Sequence, residues 1–218
     1  MSAYRGRRIL LQIGMATPLV AFLAVGLAVA AYPGFNHARQ YLSELGGAAA
    51  PHPEIFNLGV VVSGLGAAIA GLGFGLAMRT LGGARLPAML TSLSFGLAGV
   101  GLGLASFYPW PDPRHLAINL GLGIQLAPLF MIWSLGRVPA MANLRRFLLA
   151  VFIAMAVLTV LTKHLIFKGL VNDFNVGWWE RAFAVVLVGW TGVAAFGLEQ
   201  ALLDLARESR ADSISNTP

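Results

Sequence analysis

Apolar residues run along this chain in six blocks with hardly a charge inside them: Ile9–Ala31, Ile55–Met78, Pro87–Tyr108, His115–Leu135, Phe147–Phe167 and Trp179–Leu203. A helix needs about 20 apolar residues to cross about 30 Å of hydrocarbon, and each block has that length. Polar residues gather in the breaks. The pattern predicts an all-α integral membrane bundle of six transmembrane helices joined by short connections. All six fit one domain over residues 1–208, followed by a polar, disordered tail over 209–218.

The breaks carry their own signals. Tyr32-Pro33-Gly34 ends the first block, Pro87 sits in the first turn of the third, and Asp112-Pro113 is a cap followed by proline at the head of the fourth. Pro18 removes one backbone donor from the first helix. In the longest break, 32–54, Phe35, Ala38, Tyr41, Leu42 and Leu45 recur at helical spacing, with Asn36 as cap and Gly46-Gly47 as stop. That spacing predicts a short amphipathic helix at the outer membrane interface, with His37, Gln40 and Glu44 on its polar face. Small residues recur every fourth position in the second block (Gly59, Ser63, Ala67, Gly71, Gly75) and again in the third (Ser92, Gly96, then Gly99 and Gly103). Such ridges let helices approach closely, within the bundle or between copies in a homo-oligomer.

Composition agrees. Charged residues make up 11% of the chain, against about 25% in a soluble domain, so its solvent is lipid. There is no cysteine, which excludes disulfides, thiol nucleophiles and thiolate metal sites. A net charge of +6 invites a nucleic-acid partner, but its distribution argues against one. With the N-terminus in the cytoplasm, ten Lys and Arg and four acids fall inside, and five of each fall outside. The whole excess lies on one side, as the positive-inside rule requires. Both termini are therefore expected in the cytoplasm of a multi-pass bacterial inner-membrane protein, with lipid headgroups beside the arginines. Arg5, Arg7 and Arg8 ahead of Ala28-Val29-Ala30 resemble a secretory leader. The apolar run of about 20 residues exceeds the usual 7–15 of such a leader, so an uncleaved helix is expected.

Chemistry gathers on one side of this topology. All four histidines (His37, His52, His115, His164) lie there, with Glu44, Glu54, Asp112, Asp173, Glu180, Lys163, Lys168 and Arg181. Polar groups at membrane depth are costly and face the bundle interior, so an outward-facing pocket is the economical way to satisfy them. His115 and Asn119, four apart, share a helical face with Leu122 and Leu126, polar above and apolar below, which suits an amphiphile. Each candidate also has a purely structural reading. Asp112 serves as the cap of the fourth helix, and Glu180 favours the helix dipole. Glu44 points either to water or to the bundle mouth. Lys163 lies about 6 Å from the outer end, within snorkelling reach, or it pairs with Glu44, Glu180 or Asp112. Trp190, mid-span, reads as packing. No histidine pair has metal-ligand spacing and none lies deep enough for haem, so no metal or cofactor is expected. Ser43, His115 and Asp112 could form a hydrolase triad, but nothing resembles a nucleophile elbow. No internal repeat supports an inverted-repeat transporter.

Three short motifs bear a resemblance. Ser43-Glu44-Leu45-Gly46 follows a Tyr-Pro-ended first helix. Phe56-Asn57-Leu58-Gly59 opens the second. Phe107-Tyr108-Pro109 with Asp112 and His115 leads into the fourth. Over roughly residues 8–200 the chain resembles the uncharacterised prokaryotic six-helix membrane family catalogued as domain of unknown function 998. The resemblance implies that fold, brings no activity, and emphasises Ser43, Glu44, Asn57, Asp112 and His115. The Phe-Pro of the last motif is expanded here by Tyr108 and Trp110-Pro111.

The sequence reading is a bundle with an outward-facing, polar-topped pocket for a lipid or other amphiphile. Its expected ligand-binding residues are Ser43, Glu44, Asn57, His115, Asn119, Lys163, Glu180 and Arg181. One rival is an intramembrane enzyme, a lipid-modifying hydrolase or metal-dependent, with Glu44, Asp112 and His115 as acid–base groups. The other is a small transporter or channel, for which Gln12, Gln125 and Trp190 make a poor polar path.

Overall fold

The computed structural model describes residues 2–162, 167 and 169–215. The long elements among them are α-helices: α1 (Ser2–Ala30), α2 (Pro53–Thr80), α3 (Arg85–Phe107), α4 (Ala127–Ser134), α5 (Ala142–Thr162) and α6 (Val176–Ser215). Among the described residues six segments are long and apolar enough to cross a membrane, the fourth being Pro113–Ser134. Large leucines stand exposed on the outside of the bundle, Leu19, Leu58 and Leu65 each above 60%. In water that surface would aggregate; in a bilayer it is the solvated face.

Two expected elements differ in kind. The fourth span opens as a 3-10 helix over Pro113–Leu126, and only Ala127–Ser134 is α-helical. The tighter winding rises about 2.0 Å per residue and eclipses side chains three apart. The first outer loop is not one amphipathic helix. Asn36 caps a turn, its Oδ1 accepting from the Ala38 and Arg39 amides, and a 3-10 helix follows over Leu42–Gly46. Five scattered apolar positions do not sustain a helix once the loop's backbone groups find partners on α2 and α6 and its polar side chains bond one another. At the far end α6 runs on through Ser215, across a stretch expected to be disordered. Arg207 Nη1 donates to Asp204 Oδ1 at 2.9 Å and Ser209 Oγ to the Leu205 carbonyl in the turns that lead into it, and residues 216–218 of that stretch lie outside the described residues.

α2 is the spine. Its small-residue ridge is used inside the chain. Gly59 meets Ala24 of α1, Gly71 meets Phe95 of α3, and Gly64 and Gly99 bring the α2 and α3 backbones together. A Cβ on Gly99 would lie 2.5 Å from the Gly64 carbonyl, so no larger residue fits that crossing. Ser92 Oγ donates across to the Gly71 carbonyl at 2.8 Å. The solid core lies towards the end that carries both termini. Phe74, Phe95 and Trp190 stack edge to face at 5.0 and 5.7 Å, with Leu11, Met78, Met131, Leu135, Leu148, Leu198 and Leu202 packed around them. At that end Glu199 is buried, and its Oε1 accepts from Arg8 Nε at 3.1 Å and Gln12 Nε2 at 2.8 Å, which ties α6 to α1. The opposite half is hollow.

Candidate functional site

The hollow half holds a cavity of about 820 Å³ walled by α1, α2, α3, the 3-10 helix of the fourth span, and α6. Its depth is apolar or weakly polar: Thr17, Ser63, Ala67, Phe95, Ile124 and Thr191. Its mouth is polar: His37, Ser43, Asn57, His115, Asn119, Glu180 and Arg181.

The loop between α1 and α2 roofs the mouth, and sequence decides how it is held. Leu42 donates its amide to Glu180 Oε2 at 2.6 Å. Gly177 donates its amide to the Ala38 carbonyl at 2.8 Å. Gly177 has no alternative there, since a Cβ would strike the His37 and Gln40 carbonyls. Arg181 Nη1 donates to the Gln40 carbonyl at 3.0 Å and to Gly177 at 2.7 Å, with its guanidinium 5.3 Å from the Phe35 ring. From α2, Asn57 Nδ2 donates to the Gly46 carbonyl at 3.0 Å. His37 stacks on Trp178, with ring centroids 5.8 Å apart. Tyr41, at the edge of the roof, has its phenol pushed above its ordinary pKa, first by burial and then by Glu180, Asp173 and Glu44.

His115 is fixed from behind. Its Nδ1 lies 3.1 Å from the Ala105 carbonyl and 3.0 Å from the Tyr108 carbonyl, the last acceptors of α3. Two carbonyl acceptors at one nitrogen place a proton on Nδ1. The 3-10 winding sets which neighbours join it. His115, Ile118, Gly121 and Ile124 form one row, and Asn119, Leu122 and Gln125 the next. Leu126, expected on this face from a four-residue repeat, is 47% exposed and outside the cavity lining.

Of the residues expected to bind ligand, Ser43, Asn57, His115, Asn119, Glu180 and Arg181 all line this cavity. Glu44 does not. Its Oε1 accepts from the Tyr41 amide at 2.8 Å and its Oε2 from Gln40 Nε2 at 3.1 Å, so it braces the roof. Asp112 turns away, accepting from the Arg114 amide and pairing with the Arg114 guanidinium at 2.7 Å. Those bonds, the side-chain one foremost, hold its pKa down at about 2. A carboxylate spent on a cap and an ion pair does not orient His115, so the Asp112–His115 pair of the hydrolase reading is not formed. Lys163, His164 and Lys168 lie outside the described residues. No group of three His, Asp or Glu able to hold a metal ion occurs among the described residues.

Sequence reasoning does not count Thr17, Ser63, Gln125 and Thr191, which line the cavity, among the ligand-binding residues: Ser63 reads as part of a packing ridge and Gln125 as poor material for a transport path. Small hydroxyls in apolar helices bond their own backbone as a rule, as Thr17 and Thr191 do here. Ser63 departs from that rule: it is buried, and its Oγ has no partner. The Arg181 Nη2 and Trp190 Nε1 atoms are also buried without a partner.

Comparison with curated proteins and comparison with solved structures each returned no match. The family model for the protein of unknown function DUF998 matches residues 15–197, from the first helix to the sixth and including every cavity-lining residue but Gly14, and the chain belongs to that family.

Proposed function

We propose that this protein binds a lipid or lipid-like amphiphile of the membrane in which it sits, with the headgroup at the mouth of the cavity and the apolar part in its depth. The observation that carries the reading is the cavity itself, a volume of about 820 Å³ polar at one end and apolar at the other. Ligand sites typically enclose about 300–1,000 Å³ and place a few polar groups against a mainly apolar wall. Access from the bilayer supports the same reading. Among the described residues the 3-10 helix leans on α3 and barely touches α6. Ile118 and Leu122 on one side and Val185 on the other line the cavity while remaining exposed, so they flank a lateral opening. The excess of positive charge at the opposite end supports a mouth on the outer side of a bacterial inner membrane.

The test is what travels with the protein. Native mass spectrometry of protein purified in mild detergent is expected to show one tightly held amphiphile that resists delipidation. Ser63→Leu and Ala67→Leu, which fill the depth, are expected to lose it while keeping the helical circular dichroism of the parent. Equal retention in the filled variants and the parent would assign the bound molecule to the outer surface and end the reading.

A further inference from the structure

We infer that the headgroup this cavity accepts is zwitterionic, an anionic oxygen group joined by a short linker to a primary amine; the inference rests on the amphiphile reading above. Two neighbouring residues at the mouth carry it. Arg181 is a guanidinium whose Nη1 is fully engaged by the Gln40 and Gly177 carbonyls, while its Nη2 is buried with no acceptor. No carboxylate of the described residues lies within salt-bridge distance of it. A half-buried guanidinium in contact with no carboxylate of the described residues, and with one buried donor group idle, gains hydrogen bonds when an anionic oxygen arrives. Planar guanidinium and phosphate or carboxylate oxygens form the strongest hydrogen bonds available at such a site.

Glu180 is the complementary half. One of its oxygens takes the Leu42 amide, and Oε1 takes no bond from the described protein. It lines the same cavity, yet forms no ion pair with Arg181. Adjacent helical residues point about 100° apart and do not meet. Glu44 cannot serve instead, because the Tyr41 amide and Gln40 occupy both of its oxygens. One helical step thus offers a carboxylate and a guanidinium, not in contact and each with an unused hydrogen-bonding atom, to one space. A purely anionic headgroup would satisfy Arg181 and lie against Glu180 with like charge. An uncharged one would leave both unanswered. An amine a few bonds from a phosphate or carboxylate answers both. Deeper in, Ser63 is 8% exposed with its hydroxyl unpartnered, and it meets a hydroxyl or ester oxygen below the headgroup.

The experiment is a competition on the full chain in detergent, followed by native mass spectrometry. The probes are phosphatidylethanolamine, phosphatidylglycerol and diacylglycerol of identical acyl chains, with glycerophosphoethanolamine as a soluble arm. Phosphatidylethanolamine is expected to be retained about tenfold over the other two lipids, the worth of one charge-assisted bond. Glu180→Gln is expected to erase its advantage over phosphatidylglycerol. Arg181→Lys keeps a cation but has no second amino group, and is expected to bring both phospholipids towards diacylglycerol. Phosphatidylglycerol binding as well as phosphatidylethanolamine in the parent, or a preference unchanged by both substitutions, overturns the zwitterion and leaves the amphiphile reading standing. Failure to retain any lipid, diacylglycerol included, removes the amphiphile reading itself. Competition by glycerophosphoethanolamine as strong as by the lipid supports the headgroup chemistry and assigns it a soluble source.

Discussion

The roof of the cavity depends on contacts too tight for any other residue. Gly46 passes so close to Asn57 and Phe56 that a Cβ would collide with both, while its carbonyl takes the Asn57 amide. Gly46→Ala is therefore expected to unseat the loop, and Asn57→Ala to leave that carbonyl unpaired at a cost of about 1–2 kcal/mol. Both lower the thermal midpoint of the purified protein; an unchanged midpoint for both would mean the loop is not clamped there. Asp112 makes a different forecast. Its pKa is depressed to about 2 by Arg114, so the stability it adds is present above about pH 4, its ordinary range, and fades as the pH falls towards 2. The midpoint gap between parent and Asp112→Ala is expected to be constant from pH 8 to 5 and to close below about 4. A gap that widens in acid would reverse the sign and discard the cap. Asp112 shows how far single residues were legible. Cap and site readings were both open from the sequence, and only the direction of its carboxylate, towards Arg114, separates them.

At the scale of elements, hydrophobic blocks located every span because length and apolarity alone fix a bilayer crossing. Helix type escaped them. A four-residue repeat put Leu126 on the cavity face, whereas two rows of three-residue spacing face it, His115, Ile118, Gly121, Ile124 and Asn119, Leu122, Gln125. Close backbone contact explains the winding's place. A Cβ on Gly101 of α3 would lie 3.2 Å from the Ala117 carbonyl and the Gly121 amide, so the 3-10 helix lies directly on α3. A one-dimensional pattern carries no record of such a contact. The tie between α1 and α6 was equally hidden, since Glu199, Arg8 and Gln12 are nearly two hundred positions apart. Glu199→Ala leaves two donors without their acceptor, one of them on an Arg8 side chain still 39% exposed to solvent. The expected loss is about 2 kcal/mol, kept modest by that exposure, or roughly 5 °C in the thermal midpoint. Glu199→Gln still accepts from Gln12 and is expected to fall between. A Glu199→Ala protein as stable as the parent would show the tie to be decorative.

For the molecule as a whole, the division of labour runs along the bundle axis. Aromatic and branched side chains fill the half near the termini, and small residues and short hydroxyls wall the other half around a void. Void and polar mouth lie at the end away from the termini, so whatever fixes the orientation of the chain also fixes which aqueous phase the site meets. Ten of the fifteen Lys and Arg sit with the termini, and all of the net charge is there. Holding those arginines outside would oppose both the membrane potential and the anionic inner leaflet. The cavity is therefore expected to open on the periplasmic side. The native chain contains no cysteine, so any introduced thiol reports alone. Ala49 is exposed in the loop that roofs the cavity, and Ala84 is exposed in the turn between α2 and α3 at the opposite end. Ala84 suits the purpose better than its neighbour Gly83, where a Cβ would crowd the Met78 carbonyl and Ser134. In intact cells, Ala49→Cys is expected to react with an impermeant maleimide and Ala84→Cys only after the membrane is opened. The reverse pattern would turn the mouth towards the cytoplasm. The ligand would then have to come from the inner leaflet, while the geometry of Glu180, Arg181 and His115 would stand unaltered.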